Sequence, residues 1–258
     1  MSSGVFETSR PEDYLLRLAE SEAGSYKRLA LSLLDVEPGQ VVLDLGCGPG
    51  TDLPAFAEAV TERGRVIGLD HDAESLAKAR QRTARLGQVE LLAGVLPAID
   101  LPPESVDRAH TDRVLQHVAD PAAVLGELRR VLRPGAKAVF AEPDWDTLAI
   151  DAPELEFARA YTRYVSDQVV RNAAIGRQLV RYAVGAGFEV PTVVPVTTVF
   201  RDVREADRVL GFERVTRRGV AAGHLPEAGA GRWLEHLATQ PFFASATLYL
   251  VLAEVPTS

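Results

Sequence analysis

The sequence predicts a doubly wound α/β fold with a mostly parallel sheet. Over residues 36–142, short apolar runs alternate with helical patterns, the links between them are short, and glycines follow the first run. Strands and helices that alternate over short links pair into a parallel sheet with helices on both faces. The 258 residues suffice for one such domain with a modest cap.

The strands follow from short apolar or β-branched runs between turn signals. These runs predict seven strands, over residues 41–43, 65–69, 89–93, 106–111, 136–141, 190–200 and 243–255.

The helices follow from apolar residues at helical spacing. The predicted helical segments are residues 11–35, 52–63, 73–86, 120–133, 175–186 and 203–239, and residues 143–172 read as a turn followed by a helix. Asp72 and Asp120 are expected N-caps, and Pro121 suits a first helical position.

Composition excludes several classes of protein. The formal net charge of −8 disfavours nucleic acid as the main partner, because phosphate binding needs a surplus of Lys and Arg. The single cysteine, Cys47, permits no internal disulfide, and the N-terminus lacks a secretory pattern, so we expect a cytoplasmic protein. No apolar stretch approaches roughly 18 residues, so no membrane span is expected. Abundant Ala and Arg beside few Lys suggest a GC-rich bacterial genome.

The glycine-rich stretch is the first chemical motif. Residues 44–50 read DLGCGPG directly after the first predicted strand. Alternate glycines let the backbone turn sharply and approach a ligand where a Cβ would collide, and the next helix presents its N-terminus there. The spacing is not the G-x-G-x-x-G of dinucleotide-binding proteins, which weighs against a dehydrogenase.

An acid at the end of the second strand is the second motif. Asp70 is placed to accept hydrogen bonds from both hydroxyls of a ribose. The alternative role, capping the next helix, already suits Asp72.

In this order and context, DLGCGPG, Asp70 and the segment TDRVLQHV over residues 111–118 resemble class I S-adenosylmethionine-dependent methyltransferases. The resemblance covers roughly residues 36–142 and is strongest to the ubiquinone- and menaquinone-biosynthesis-like small-molecule branch and its bacterial natural-product relatives. It implies a Rossmann-like sheet of seven strands with an antiparallel last strand. It also implies one domain over residues 1–258. The core would comprise about 36–142, 175–200 and 243–255, and the cap about 1–35, 143–172 and 203–241.

The resemblance also assigns residues to S-adenosyl-L-methionine. Asp112 would contact the methionine moiety, His71 would flank the adenine, and Asp70 would bind the ribose. The chain departs from its relatives at Val95, where an Asp often reaches the adenine amino group, so backbone contacts at Val95 or Leu96 are expected instead. The remaining expected cofactor-binding residues are Asp44, Gly46, Cys47, Gly48 and Gly50.

The implied reaction is in-line displacement at the sulfonium methyl, with a small, partly apolar acceptor as the partner. His117, just beyond the fourth strand, is the first candidate for a general base, and a purely cofactor-supporting histidine is its alternative. Asp144, between Glu142 and Asp146, is the second candidate; turn formation is its alternative. No metal is predicted, and Mg²⁺ at this acidic trio is disfavoured. The aromatic candidates for a sulfonium pocket are Tyr14, Tyr26, Trp145, Tyr161 and Phe242.

The fourth predicted strand carries an unusual face. Arg108, His110 and Asp112 share one parity, at positions where relatives usually have apolar residues. Buried charges need partners, so an ion pair between Arg108 and an acid is the expected explanation.

Other functions stay open on the same fold. A cyclase that binds the cofactor without transferring its methyl group is the main alternative, and a binding protein with an idle pocket is another. The acidic charge disfavours a nucleic-acid or protein methyltransferase, and the chain is expected to be a monomer or homodimer.

Overall fold

The computed structural model describes residues 25–239 and 241–257, which form one seven-stranded sheet. The strand order is β3-β2-β1-β4-β5-β7-β6. Strands β1 to β5 pair in parallel, and β7 pairs antiparallel with both β5 and β6. The strands are β1 Val41–Leu45, β2 Arg65–Asp70, β3 Val89–Ala93, β4 Val106–Asp112, β5 Leu132–Ile150, β6 Glu189–Phe200 and β7 Ala244–Glu254. This confirms the predicted fold class.

The helices lie between the strands and above the second half of the sheet. They are α1 Ser25–Leu34, α2 Leu53–Val60, α3 Ala73–Thr83, α4 Pro121–Val131, α5 Leu155–Tyr164, α6 Ile175–Gly185, α7 Val203–Leu210, α8 Phe212–Ala221 and α9 Ala230–Thr239. A π-helical turn, Val165–Val169, extends α5. The predicted caps are confirmed, because Asp72 accepts a hydrogen bond from the Ser75 amide and Asp120 from the Ala123 amide.

Two elements differ from the predicted ones. The prediction ended the fifth strand at residue 141, whereas β5 continues to Ile150 and pairs with β7 on both sides of an irregularity between Asp144 and Ala149. The turn signals at Pro143 and the aspartates therefore mark a bulge inside a strand, because pairing with β7 overrides local turn preference. The first helix begins at Ser25 in the described part of the chain, and residues 11–24 lie outside it.

Both faces of the sheet are covered by helices. Val42, Val66 and Val139 pack against α1 and α2 on one face, while Leu43 and Phe140 pack towards α4 and α6 on the other. A third apolar cluster fills the cap formed by α5, α7, α8 and α9 with the far ends of β5 to β7. None of the described helices is long and apolar enough to cross a membrane.

Candidate active site

The glycine loop closes over the carboxyl end of β1. Gly46, Gly48 and Gly50 have φ angles of 68°, 53° and 74°, in the left-handed region that side chains rarely tolerate. A Cβ on Gly46 would lie 2.4 Å from Cγ2 of Val114, so the loop packs directly against the chain that follows β4. Glycine is therefore required at these positions by the positive φ angles, and at Gly46 also by the close approach of Val114.

Asp70 holds this loop in place from the end of β2. Its Oδ2 accepts the Gly48 amide at 2.8 Å, and its Oδ1 accepts the Asp72 amide at 2.9 Å. The amides of Gly46 and Cys47 both donate to the Leu69 carbonyl, at 2.7 and 3.1 Å. The carboxylate is thus oriented by backbone donors at the edge of the glycine loop.

The side chains beyond Asp70 are open to solvent. The His71 side chain is 76% exposed, with Nδ1 3.4 Å from the Asp70 carboxylate. The Gly94 amide donates to the Asp70 carbonyl at 3.0 Å, which brings the loop after β3 next to β2. Val95 in that loop is 71% exposed, whereas Leu96 packs against the core.

Cys47 lies inside the loop. Its side chain is 6% exposed, and burial, with the nearby Asp44 and Asp70 carboxylates, raises the pKa of the thiol. A thiol kept protonated in this way is a packing group rather than a nucleophile.

Asp44 forms a buried pair with His110. Its Oδ1 lies 2.8 Å from His110 Nδ1, and the two side chains are 3% and 4% exposed. Burial opposes a charge on the imidazole, but the hydrogen bond to Asp44 and the charge of that carboxylate outweigh burial and raise the pKa of His110.

Asp112 is surrounded by donors. The Tyr26 hydroxyl lies 2.9 Å from each carboxylate oxygen, the Lys27 ammonium lies 2.8 Å away, and Arg113 Nε donates at 3.0 Å. Burial alone would raise the pKa of Asp112, but Arg113 and Lys27 outweigh it and lower that pKa.

Lys27 joins Asp112 to the start of α2. Its ammonium lies 2.6 Å from Asp52, and although burial opposes the charge, Asp112 and Asp52 raise the pKa of Lys27. Helix α1 is thereby tied across the carboxyl ends of β1 and β4. Lys27 was not predicted as a site residue. The rarity of lysine in this arginine-rich chain is the feature of the sequence that could have indicated it.

Arg108 has a different partner from the one predicted. Its guanidinium donates to the backbone carbonyls of Asp35 and Asp107, at 3.1 and 3.0 Å. The Asp35 carboxylate instead pairs with Lys137 at 2.9 Å.

The loop after β4 is held by Glu142. The carboxylate accepts the amides of Val114, Leu115 and Gln116 at 2.8, 2.6 and 3.2 Å. Burial outweighs these donors and raises the pKa of Glu142 to about 8.

Asn172 holds the same loop from the other side. Its side-chain amide donates to the carbonyls of Leu115 and Val118, at 2.7 and 2.8 Å. The loop is therefore preorganised before any ligand binds.

His117 is presented at the surface of this loop. Its side chain is exposed, yet partial desolvation and the Arg113 charge lower the pKa of the imidazole. A histidine with a lowered pKa is neutral at pH 7 and can accept a proton.

Asp144 is in a different setting. The carboxylate is fully buried, and Arg177 binds both of its oxygens while also reaching Asp146 at 3.3 Å. Glu142 is likewise occupied by amides. In residues 25–239 and 241–257, no group of three His, Cys, Asp or Glu residues is arranged to hold a metal ion.

The aromatic candidates are dispersed. Trp145 is partly buried against the cap cluster, and its Nε1 donates to Gln116 Oε1 at 2.8 Å. Tyr161 and Phe242 lie inside that cluster, Tyr26 binds Asp112, and Tyr14 lies outside the described residues. Trp145 contacts both the His117 loop, through Gln116, and the cap cluster.

A family model described as a methyltransferase domain matches residues 36–182. This match covers more than half of the chain, so the chain belongs to that family: it is a class I S-adenosylmethionine-dependent methyltransferase.

Two relatives share higher sequence identity over defined parts of the chain. An uncharacterised 37.1 kDa protein of a Streptomyces fradiae transposon is 56% identical over 257 residues, covering 98% of this chain and 74% of that protein. A demethylmenaquinone methyltransferase of Bacillus cereus is 33% identical over 126 residues, covering 48% of this chain and 53% of the enzyme. The second match thus spans about half of either protein.

Solved structures share the fold at low identity. An S-adenosylmethionine-dependent methyltransferase from Aquifex aeolicus superposes with a TM-score of 0.53 at 18% identity, covering 94% of this chain and 99% of that one. The [4+2]-cyclase SpnF gives 0.58 at 18% identity, covering 91% and 82%. The fold alone is therefore compatible with more than one chemistry.

The described residues fit the cofactor of this family. The glycine loop provides the close backbone approach, Asp70 provides an oriented carboxylate, and Val95 provides exposed apolar surface. Asp112 with Lys27 offers opposite charges for the amino and carboxylate groups of a methionine moiety.

Proposed function

We propose that this chain transfers the methyl group of S-adenosylmethionine to an O, N or C atom of a small, partly apolar acceptor. The observation that carries the acceptor class is the position of Trp145, which connects the polar His117 loop to the apolar cap. A bacterial natural product fits this description, and the Streptomyces fradiae relative supports a bacterial source. When bound, S-adenosylmethionine supplies an electrophilic methyl group on a sulfonium.

We assign the binding of S-adenosylmethionine to the first half of the sheet. Asp70 binds the ribose hydroxyls, and the glycine loop of Gly46, Gly48 and Gly50 packs against the cofactor. Asp112 faces the methionine moiety, with Lys27 balancing its charge. Backbone at Val95 and Leu96 contacts the adenine, beside His71.

We assign the proton transfer to His117. Its exposure and lowered pKa leave a neutral imidazole on a rigid loop, where it can take the proton from an acceptor. The alternative base, Asp144, has both oxygens engaged by Arg177. We therefore propose a structural role for Asp144, in place of the catalytic role predicted for it.

Cofactor binding is tested by calorimetry on the wild type and Asp70→Ala, with NAD as the control ligand. We expect micromolar binding of S-adenosylmethionine only, weakened at least about 100-fold in Asp70→Ala, since a charge-assisted pair of hydrogen bonds is lost. Circular dichroism of the variant checks that the substitution of Asp70 has not unfolded the domain. Equal affinity in both proteins would remove Asp70 from the site.

Methyl transfer is tested by measuring formation of S-adenosylhomocysteine over a panel of phenols, amines and acidic carbon compounds. We expect turnover with an apolar member, and about a 100-fold lower kcat in His117→Asn with unchanged cofactor affinity. Cofactor binding without turnover on any nucleophile would favour the cyclase reading.

A further inference from the structure

His110 is a buried group that the proposed methyl transfer does not use. It lies on β4 and is 3% exposed. Asp44 Oδ1 lies 2.8 Å from its Nδ1, and the Phe56 ring meets it edge-on at 5.2 Å between centroids. Burying such a pair is costly unless the charges are balanced, so its presence calls for a function.

Charged groups from other elements act on this pair. Asp52, before α2, and Asp112, on β4 itself, favour the protonated form of His110, and Lys27 of α1 acts on Asp44. The resulting cluster comprises Asp44, Asp52, Asp112, Lys27, Arg113 and His110. It holds three carboxylates and two lasting cations. The net charge of the cluster is therefore zero when His110 is protonated, and the cluster carries one negative charge when His110 is neutral.

We propose that His110 is a positioning residue that acts through Asp44 and makes the site distinguish S-adenosylmethionine from its demethylated product by charge. This inference rests on the cofactor site proposed above. Asp44 precedes the glycine loop by two residues, and Asp112 follows His110 by two. Asp44 and His110 are in register on the neighbouring strands β1 and β4, so the pair adjoins the glycine loop and Asp112, which the proposed site assigns to the cofactor.

The direction of the effect follows from charge. S-adenosylmethionine carries a sulfonium, which S-adenosylhomocysteine lacks, and a nearby cation disfavours the imidazolium. Binding of S-adenosylmethionine should therefore release a proton from His110 to the buffer. By reciprocity, loss of that proton tightens the binding of S-adenosylmethionine relative to the product. Asp44 keeps this proton on His110 before the ligand binds, because its hydrogen bond and charge favour the imidazolium against burial.

The experiment is calorimetric titration of the full chain with each ligand, in buffers of different ionisation enthalpy, between about pH 6 and 9. Both ligands carry the same α-amino group, so their difference isolates the sulfonium charge. In the wild type we expect more protons released by S-adenosylmethionine than by S-adenosylhomocysteine. We also expect the affinity ratio to rise about five-fold or more as His110 titrates, the lower end of typical coupling between sites.

The matched variant is His110→Asn, whose side-chain amide can still donate to Asp44 but does not titrate. We expect it to bind both ligands and to lose the difference in proton release. His110→Leu leaves Asp44 without a donor, so this variant should bind both ligands more weakly or fail to fold. If it fails to fold, His110→Asn still tests the proposal.

Three results would overturn the inference. One is a wild type with equal proton release for both ligands, and another is a difference that persists in His110→Asn. The third is a wild type that binds neither ligand, and this result alone would also overturn the proposed cofactor site. Binding with no proton difference removes only the role of His110.

Discussion

Two groups of buried carboxylates lie at the carboxyl edge of the same sheet, and their partners differ. On β1 and β4, Asp44 and Asp112 face ionisable side chains: His110 and Lys27. On β5, Glu142 and Asp144 face backbone amides and the Arg177 guanidinium. The first group is held by ionisable side chains, whereas the second is held by backbone amides and a guanidinium. An acidic residue at a strand end therefore indicates a catalytic role only when its hydrogen-bond and ion-pair partners are known.

The largest expected effect comes from breaking the β5 group. Arg177→Gln leaves the fully buried Asp144 without its main cation, so the free energy of unfolding should fall by about 3 kcal/mol. Affinity for S-adenosylmethionine should stay within about two-fold, as expected of a pair outside the binding site. Urea unfolding and calorimetry measure the two quantities.

The matched control is Arg159→Gln, which removes an exposed pair with Glu156 and should leave stability unchanged. If Arg177→Gln instead left stability intact and abolished methyl transfer, Asp144 would regain its predicted catalytic role and the contrast between the two groups would fail.

The second effect is a pH dependence of stability carried by Glu142. Its pKa rises from an ordinary 4.5 in the unfolded chain to about 8 in the fold, so the folded state binds the extra proton between these values. The contribution of this group to stability is therefore fully present below about pH 4.5 and is lost as the pH rises towards 8. The slope is at most about 1.4 kcal/mol per pH unit.

Comparison with Glu142→Gln isolates that slope, because the amide is uncharged at every pH. Denaturant unfolding from pH 5 to 9 should show the wild type losing stability relative to the variant as the pH rises. No change in this difference between pH 5 and 9 would mean that the three amide donors hold Glu142 ionised, because a lowered pKa lies below that range, and would bring it closer in behaviour to Asp112.

The smallest effect concerns the adenine end of the proposed site. Val95→Asp introduces the carboxylate that relatives often carry, and one added hydrogen bond should tighten cofactor binding about two- to ten-fold. Val193→Asp, on the exposed face of β6, adds the same charge far from the glycine loop and should have no effect. Unchanged affinity in Val95→Asp would mean that the adenine does not reach this loop.

Much of the first half of the chain could be predicted from the sequence. The glycine loop, Asp70 and the cap at Asp72 are local features, in which a few adjacent residues set both the backbone path and the nearest hydrogen bonds. The parallel pairing of β1 to β5 followed from the alternation of strands and helices over short links.

The partners of buried charges could not be predicted in the same way. Lys27 and Asp112 are 85 positions apart by their numbering, and Asp144 and Arg177 are 33 apart, so only the packed sheet brings them together. The same holds for the strand β5, whose extension to Ile150 depends on pairing with β7 rather than on its own turn-forming residues.

By itself, the sequence determined the fold class, the family and the glycine loop, because each depends on short-range patterns that survive in any tertiary context. The tertiary structure decided which partners each buried acid contacts. A carboxylate's role depends on its burial and on the donors that reach it, and both are properties of chain segments far apart in sequence.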